Sequence, residues 1–409
     1  MEVFDVNFFL TSFIVLQGQC SGGTFTEYNN LYNTALTGYN KDGRPLQDQN
    51  HVMIVVLDFS LLTIADLDDA SSKLVTVGLF TILWRDEVIT WNQSLYENTK
   101  ELHIDESLVW KPSMALINTM SINVGLLGFK QSKIEYSSDG VAFWHIADRY
   151  QTTCDFDTTY FPFDKQTCEL KIVAWDYTIQ GLFIYPLKPT VDLTYFSENG
   201  AWELVSTETR SEYLAYYSVV VFSLNLKRRP LYFVIYRLIP VFTMLFLNTL
   251  VFILPSDSGE RVGYAINCLL ALAVFLTLVS EGLPGDSEPM PVIGYVLTVY
   301  LIISAIICVL TIFILRLHHK EENKEIPPSF RKMYNILTCA TCKKRSRTVE
   351  AYLSTTDSEN VEENDKHKKS SVLPLTWKKL SSRLDFICFI SSLSSVITVG
   401  VVYFVIVMS

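Results

Sequence analysis

Hydrophobic and polar positions change rhythm once, decisively, along this 409-residue chain. Up to about residue 229 the apolar residues come in short β-branched and aromatic runs: His51–Leu62, Val75–Trp84 and Tyr217–Leu226. Turn chemistry separates such runs, as at Ser137–Gly140 and Asp192–Gly200. Several short strands at this spacing predict an all-β, immunoglobulin-like sandwich. From residue 231 four longer apolar runs follow: Leu231–Leu254, Val262–Ser280, Val292–Leu315 and Leu384–Met408. Each is close to the ~20 residues that a helical membrane span needs. They predict a four-helix transmembrane bundle behind the sandwich.

The remaining stretches fit between these blocks. The apolar core Val6–Leu16 is too short to span and suits a signal peptide cleaved near Cys20, although Glu2 and Asp5 replace the usual basic start. Between the third and fourth runs, Pro327–Leu337 reads as an amphipathic helix lying on the membrane surface. Thr348–Lys369, rich in Ser, Thr, Glu, Asn and Lys, has the composition of a disordered segment. The predicted plan is a signal peptide at 1–20, an extracellular sandwich at 21–229 and transmembrane helices one to three at 230–317. A cytoplasmic loop at 318–379 and a fourth transmembrane helix at 380–409 complete it.

Charge sets the orientation. Residues 21–229 carry 16 Lys and Arg against 26 Asp and Glu, whereas residues 320–379 carry 13 against 9. Basic loops stay in the cytoplasm, so the acidic block is expected outside and the basic block inside. Four spans return the chain to its starting side, which puts both termini outside. Arg237 and Arg316 lie near helix ends, where their heads can snorkel to the interface. Only 19% of residues are charged against 49% apolar, well below the charge of a soluble domain. A net charge of −10 argues against a nucleic-acid partner.

Among eight cysteines, only Cys154 and Cys168 fall in the acidic block beyond the signal segment, and two outward cysteines can pair. Closing their thirteen-residue loop removes about 3 kcal/mol of unfolded-state entropy in the chain-entropy description. The loop contains Phe161-Pro162-Phe163-Asp164. So apolar a tip is costly in water and is expected to contact the membrane domain.

At these residues the chain resembles a subunit of the Cys-loop pentameric ligand-gated ion channels, nearest the cation-selective, nicotinic-like branch. Trp84-x-Asp86, Trp110-x-Pro112, Asn199-Gly-x-Trp202, Arg228-Arg-Pro230-Leu-Tyr, Pro240 and Asp257-Ser-Gly-Glu260-Arg261 are similar to the family pattern. The resemblance runs from about residue 24 to 409. It implies a plasma-membrane homo- or heteropentamer, a pore lined by the second span and a small extracellular ligand at subunit interfaces. Partners would then be four further subunits, membrane lipid and permeating monovalent cations, with calcium left open. No cofactor, metal or enzyme activity is implied, and no nucleotide loop, catalytic triad or zinc-hydrolase signature is visible.

The second span can be read on its own. Gly263, Asn267, Leu270, Val274 and Thr277 share one helical face, and the stripe reaches Glu260 below and Glu281 above. Five converging copies would make Leu270 and Val274 apolar rings that close by dewetting. Charged residues at both ends and an Asn within the span favour a pathway over simple packing. Glu260 and Glu281 would concentrate cations at the mouths.

The ligand site is implied by the resemblance. Trp175 matches the central Trp of an aromatic box, Tyr213 and either Tyr216 or Tyr217 come from a short capping hairpin (Arg210–Tyr217), and Phe143 is placed on the complementary face with Trp144. Ile117 and Leu79 stand where aromatics are usual, and the hairpin lacks an adjacent Cys pair, as in divergent sites of the invertebrate type. Coupling to the pore is assigned to Phe161, Pro162, Phe163, Asp164 and Arg228, the last pairing with one of Asp66, Asp68 or Asp69. The loop Gly282–Pro291 would meet the Cys-loop tip, with Pro291 its last residue. Asn92-Gln-Ser94 is the single sequon of residues 21–229. Cys339-x-x-Cys342 is half a zinc motif without a second pair, better read as reduced or palmitoylated.

Overall fold

A computed structural model describes residues 24–69, 71–120, 132–281, 290–321 and 376–408, with positions 326–328, 330 and 334 between them. The signal segment 1–20, the loop 282–289, the Cys339/Cys342 pair and the stretch 348–369 lie outside the described residues. Contacts divide the chain into two compact units that separate between Pro230 and Leu231.

The first unit opens with a helix that the strand pattern did not predict, α1 (Phe25–Leu36), whose N-terminus is capped by Thr24 accepting the Glu27 N–H at 3.4 Å. Ten strands follow. β1 (Met53–Asp68), β2 (Lys73–Arg85), β3 (Glu101–Asp105), β5 (Lys133–Ser137), β6 (Val141–Thr153) and β8 (Leu182–Pro186) form a six-stranded sheet in the order β3-β5-β6-β2-β1-β8. β4 (Met114–Leu116), β7 (Lys165–Ala174), β9 (Trp202–Leu214) and β10 (Tyr217–Arg228) form a four-stranded sheet in the order β4-β7-β10-β9. All pairings are antiparallel except β1 with β8.

Alternation along the strands explains why two sheets stack. On β2 the even positions Phe80, Ile82 and Trp84 are buried while Leu79, Thr81 and Leu83 are only partly covered. The inward side chains interlock: Phe59 stacks on Phe80 at 4.4 Å, and both rings lie within 5.7 Å of Phe222 from the other sheet. Cys154, which follows β6, is bonded to Cys168 in β7, so the disulfide ties one sheet to the other. Tyr39 anchors the far side: its hydroxyl donates to the buried Asp86 carboxylate at 2.7 Å, and Asp86 also accepts the Val88 and Ile89 N–H groups. Burial nonetheless raises the Asp86 pKa above the ordinary carboxylate value.

Among its described residues the second unit holds four helices long and apolar enough to cross a membrane: α2 (Leu231–Phe252), α3 (Arg261–Ser280), α4 (Val292–His318) and α5 (Trp377–Met408). In α2 a π-type turn at Val234–Leu238 leads up to Pro240, which has no N–H to give the preceding turn. Arg237 donates to the Leu278 carbonyl of α3, so its charge does more than snorkel. α5 starts ahead of the apolar run because Trp377 and Leu380 are buried against Leu317, with Phe330 and Tyr334 packed on the same cluster. Those two rings, four residues apart, belong to the segment read as an amphipathic helix, of which residues 327, 328, 330 and 334 are described.

Two substitutions test this framework. Gly140 sits at φ +84° in the β5–β6 turn, where a Cβ would come within 2.2 Å of the Asp86 carbonyl oxygen. Gly140→Ala is therefore expected to cost about 1–3 kcal/mol or more, read as a lower thermal midpoint of the solubilised chain. Cys168→Ser should lose about 3 kcal/mol through its open loop, and a midpoint unchanged from wild type would contradict the bracing role.

Candidate ligand pocket and pore-lining face

Three of the residues proposed for a ligand site converge at one end of the four-stranded sheet. Trp175 directly follows β7, its N–H donates to the Ser113 carbonyl at 3.2 Å, and it is 45% exposed. Its ring meets Tyr217 edge-on at 5.7 Å. Tyr217 and Ile117 pack on the same small cluster of Ala115, Val173, Val219 and Val221. An aliphatic side chain thus supplies a wall beside two aromatic ones.

The capping hairpin is longer than its sequence suggested, because β9 and β10 pair from Tyr217↔Leu214 to Arg228↔Trp202. Only its tip is short, the two residues Ala215 and Tyr216. Ala215 adopts φ 54°, an uncommon conformation for a residue with a Cβ. The Tyr216 carbonyl accepts the Ile179 N–H at 2.9 Å, tying the tip to the segment after Trp175. The Tyr216 side chain is exposed, and Tyr213 tilts against Phe183 at 6.3 Å.

Leu79 and Phe143 lie elsewhere, on the outward face of the six-stranded sheet. In the β2–β6 register Leu79 faces Ala147, Thr81 faces His145 and Leu83 faces Phe143. Thr81 Oγ1 and His145 Nδ1 are 3.1 Å apart. Trp144 does not join this face. The period of two turns it inward, where it is 1% exposed and donates its indole N–H to Ser132 Oγ at 2.8 Å and Glu106 Oε2 at 3.1 Å. A single chain therefore places these residues in two separate groups on different sheets.

Near the end of β10, Arg228 organises a compact junction. Its Nε donates to Asp164 Oδ1 at 2.7 Å and its Nη2 to Asp164 Oδ2 at 3.1 Å. The same Nη2 also reaches Asp69 Oδ2, which singles out Asp69 among the three candidate acids. The guanidinium lies over Trp202 at 4.2 Å and Phe161 at 4.7 Å. Burial raises the Asp69 pKa, while the Arg228 charge pulls it down. Phe161, Pro162 and Asp164 are buried and Phe163 is partly buried, so much of the apolar tip is covered and its first ring serves Arg228. The sequence carried no sign of this second role for Phe161.

In the membrane unit the stripe Glu260, Gly263, Asn267, Leu270, Val274, Thr277 and Glu281 is exposed along its whole length, with Leu270 at 59% and Val274 at 60%. Arg261, Ala265, Cys268, Leu272 and Val279 form the buried face of the same helix. Arg261 points away from the stripe: it is 0% exposed and forks onto both carboxylate oxygens of Asp385 in α5. Pro291 is the N-cap residue of α4. Asn92 is exposed, with its side-chain oxygen accepting the Ser94 N–H at 3.1 Å. No cluster of three or more His, Cys, Asp or Glu able to hold a metal occurs among the described residues.

A disulfide-looped sandwich followed by four helices able to cross a membrane defines a class of multi-pass membrane protein. Residues 28–230 match the neurotransmitter-gated ion-channel ligand binding domain, and residues 237–379 match the neurotransmitter-gated ion-channel transmembrane region. The chain belongs to this family of ligand-gated channels, and it is similar to nicotinic receptor subunits. It is 30% identical over 314 residues to the human neuronal acetylcholine receptor subunit alpha-2, covering 75% of this chain and 59% of that protein. With the alpha-6 subunit of Rattus norvegicus it shares 29% over 308 residues, 74% of this chain and 62% of the relative. With the alpha-4 subunit of Mus musculus it shares 30% over 306 residues, 73% and 48%. The matched segments thus span about half to three-fifths of those relatives' lengths.

The Arg228 junction makes a quantitative prediction. Arg228→Gln should lower stability by about 3 kcal/mol, because it leaves Asp164 and Asp69 side by side without their cation, and Asp164→Asn should cost less, because Arg228 keeps Asp69. The double variant should lose clearly less than the sum, with a coupling of roughly 1–3 kcal/mol. Strict additivity in thermal midpoints would show that the two groups do not act as a pair.

Proposed function

We propose that this chain is one subunit of a pentameric, cation-selective channel of the plasma membrane, opened by a small extracellular ligand. The observation that carries the reading is the exposed stripe of α3, polar at both ends and apolar in the middle, on a helix whose opposite face is buried. Five copies of that stripe around an axis would give a water path bounded by Glu260 and Glu281, with Leu270 and Val274 forming the constriction. Carboxylate rings attract cations, so monovalent cations are the proposed permeant ions.

The two half-sites suit a pocket shared between neighbours. Trp175, Tyr213, Tyr216, Tyr217 and Ile117 would come from one subunit, and Leu79 and Phe143 from the next. Cation–π attraction toward Trp175 and Tyr217 favours a ligand with an organic ammonium group. Ile117 and Leu79 remove aromatic surface, so the ligand need not be acetylcholine. Binding would shift a pre-existing closed–open equilibrium, carried toward the pore by Phe161, Pro162, Phe163, Asp164, Arg228 and Pro291. Both termini would be extracellular and Asn92 a glycosylation acceptor. The two aliphatic substitutions also support a second reading, a subunit that binds ligand or partners but conducts only within a heteromer.

Leu270→Thr expressed alone in oocytes should produce a standing current without ligand, with a reversal potential that follows sodium. Adding Glu260→Gln should move that reversal potential toward chloride. A current that follows chloride at the outset would overturn cation selectivity, and surface protein without current would favour the heteromer reading. Asn92→Gln is expected to remove one step of glycosidase-sensitive mass on a gel, and an unshifted wild-type band would exclude that modification.

A further inference from the structure

Three segments far apart in sequence meet on one histidine of the membrane unit. His318 closes α4, and its side chain is 13% exposed. Its Nε2 lies 3.1 Å from Asp257 Oδ1, in the turn Ser256–Ser258 that joins α2 to α3. Its Nδ1 lies 3.0 Å from Ser381 Oγ, near the start of α5. Proton bookkeeping fixes the state of the ring. A carboxylate only accepts, so Nε2 donates to Asp257. The single Ser381 hydroxyl proton goes to the Lys378 carbonyl at 2.9 Å, so Ser381 Oγ accepts from Nδ1. Both nitrogens donate, and the ring is an imidazolium in this arrangement. A cation also suits the last turn of α4, the negative end of that helix.

The neighbouring charges are engaged elsewhere. Arg261 and Asp385 are forked onto each other. Lys320 sits over the Trp377 ring at 4.2 Å, and Lys378 and Arg316 are exposed. The His319 ring, 5.3 Å from that of His318, turns its Nδ1 to the Leu315 carbonyl of its own helix at 3.1 Å. Asp257 is thus the carboxylate that answers His318. Removing one proton breaks the arrangement either way. With the Nε2 proton kept, Ser381 must leave the Lys378 carbonyl to serve Nδ1. With the Nδ1 proton kept, a ring lone pair faces the Asp257 carboxylate.

We propose that His318 is a proton-operated latch between the α2–α3 turn and α5, closed when the ring is charged and released as pH rises. Imidazole is the side chain whose charge changes within the pH range that cells visit. The same turn has a second tie that pH leaves alone, Ser256 accepting from the permanently charged Arg261 at 2.9 Å. Releasing the latch therefore loosens the turn without freeing it. Asp257 lies three residues ahead of Glu260, where the exposed stripe of α3 begins. Under the proposed function that turn is the cytoplasmic mouth of the pore, so the latch would make opening respond to cytoplasmic pH. That consequence rests on the channel reading, whereas the latch itself does not.

The first measurement needs no channel activity. In the solubilised full-length chain, His318→Gln, Asp257→Asn and the double variant form a cycle, with unfolding followed at about pH 6 and about pH 8.5. The Asp257 side chain is 82% exposed, so solvent screening limits the pair. A coupling of about twofold to fivefold in the unfolding equilibrium is expected at the acid pH, falling toward unity at the alkaline one. His319→Gln in place of His318→Gln should show no coupling at either pH. Coupling absent in acid, or equal at both pH values, would overturn the proposal. The second measurement uses the standing current of Leu270→Thr in inside-out patches. Moving the cytoplasmic-side solution from about pH 6 to about pH 8 should change that current at least about twofold. Adding His318→Gln should abolish the dependence, and adding His319→Gln should leave it. A current indifferent to that pH, or a dependence that survives His318→Gln, would overturn the link to the pore. Surface protein without any current counts against the channel reading alone, and the cycle then decides the latch.

Discussion

A carboxylate or an amide cannot rest against hydrocarbon without a partner, and that constraint governs the membrane half of this protein. α3 carries Glu260, Asn267 and Glu281 on one exposed stripe. On the opposite face Ala265, Cys268 and Leu272 are buried. The helix cannot roll to hide the stripe, because its first residue is locked: Arg261 is fully buried and forked onto Asp385. An isolated subunit therefore leaves unsolvated polar groups at membrane depth. Under the proposed function, assembly around water would relieve that penalty, and the same geometry would then serve conduction.

The sandwich answers a similar problem with a different device. Its two sheets are joined by the Cys154–Cys168 bond, and the loop so closed returns Asp164 to Arg228 beside the start of the first span. Arg228 is satisfied by two carboxylates and two aromatic faces. β10, which ends at Arg228, carries Tyr217 at its other end. Tyr217 and the Arg228 junction thus lie at opposite ends of one twelve-residue strand.

Much of this was legible in the amino-acid sequence, for identifiable reasons. Short β-branched and aromatic runs marked β1, β2 and β10, and uninterrupted apolar length marked the spans, because both signals are local. The α3 stripe could be read because helical spacing depends only on neighbouring residues. Choices settled by tertiary contact could not. Asp69 is separated from Asp66 and Asp68 by its reach to Arg228, across 159 positions. Trp144 and Phe143 differ only in which way the pleat turns them. Arg261 sits next to Glu260, yet one helical step sends it to α5 and away from the stripe. α1 was missed because polar residues cover most of it and Leu31 alone is buried. His318, Asp257 and Ser381 come from three distant segments, and nothing local joins them.

The central claim is that the α3 stripe faces water and its opposite side faces protein. Single cysteines at Asn267, Leu270, Val274 and Thr277, and in parallel at Ala265, Leu272 and Val279, can be probed with a membrane-impermeant thiol reagent on intact membranes. Labelling needs neither the ligand nor a measurable current. The account predicts reaction at the first four positions and protection at the other three, with the period of an α-helix. Equal reactivity on both faces, or reaction confined to Ala265, Leu272 and Val279, would contradict it.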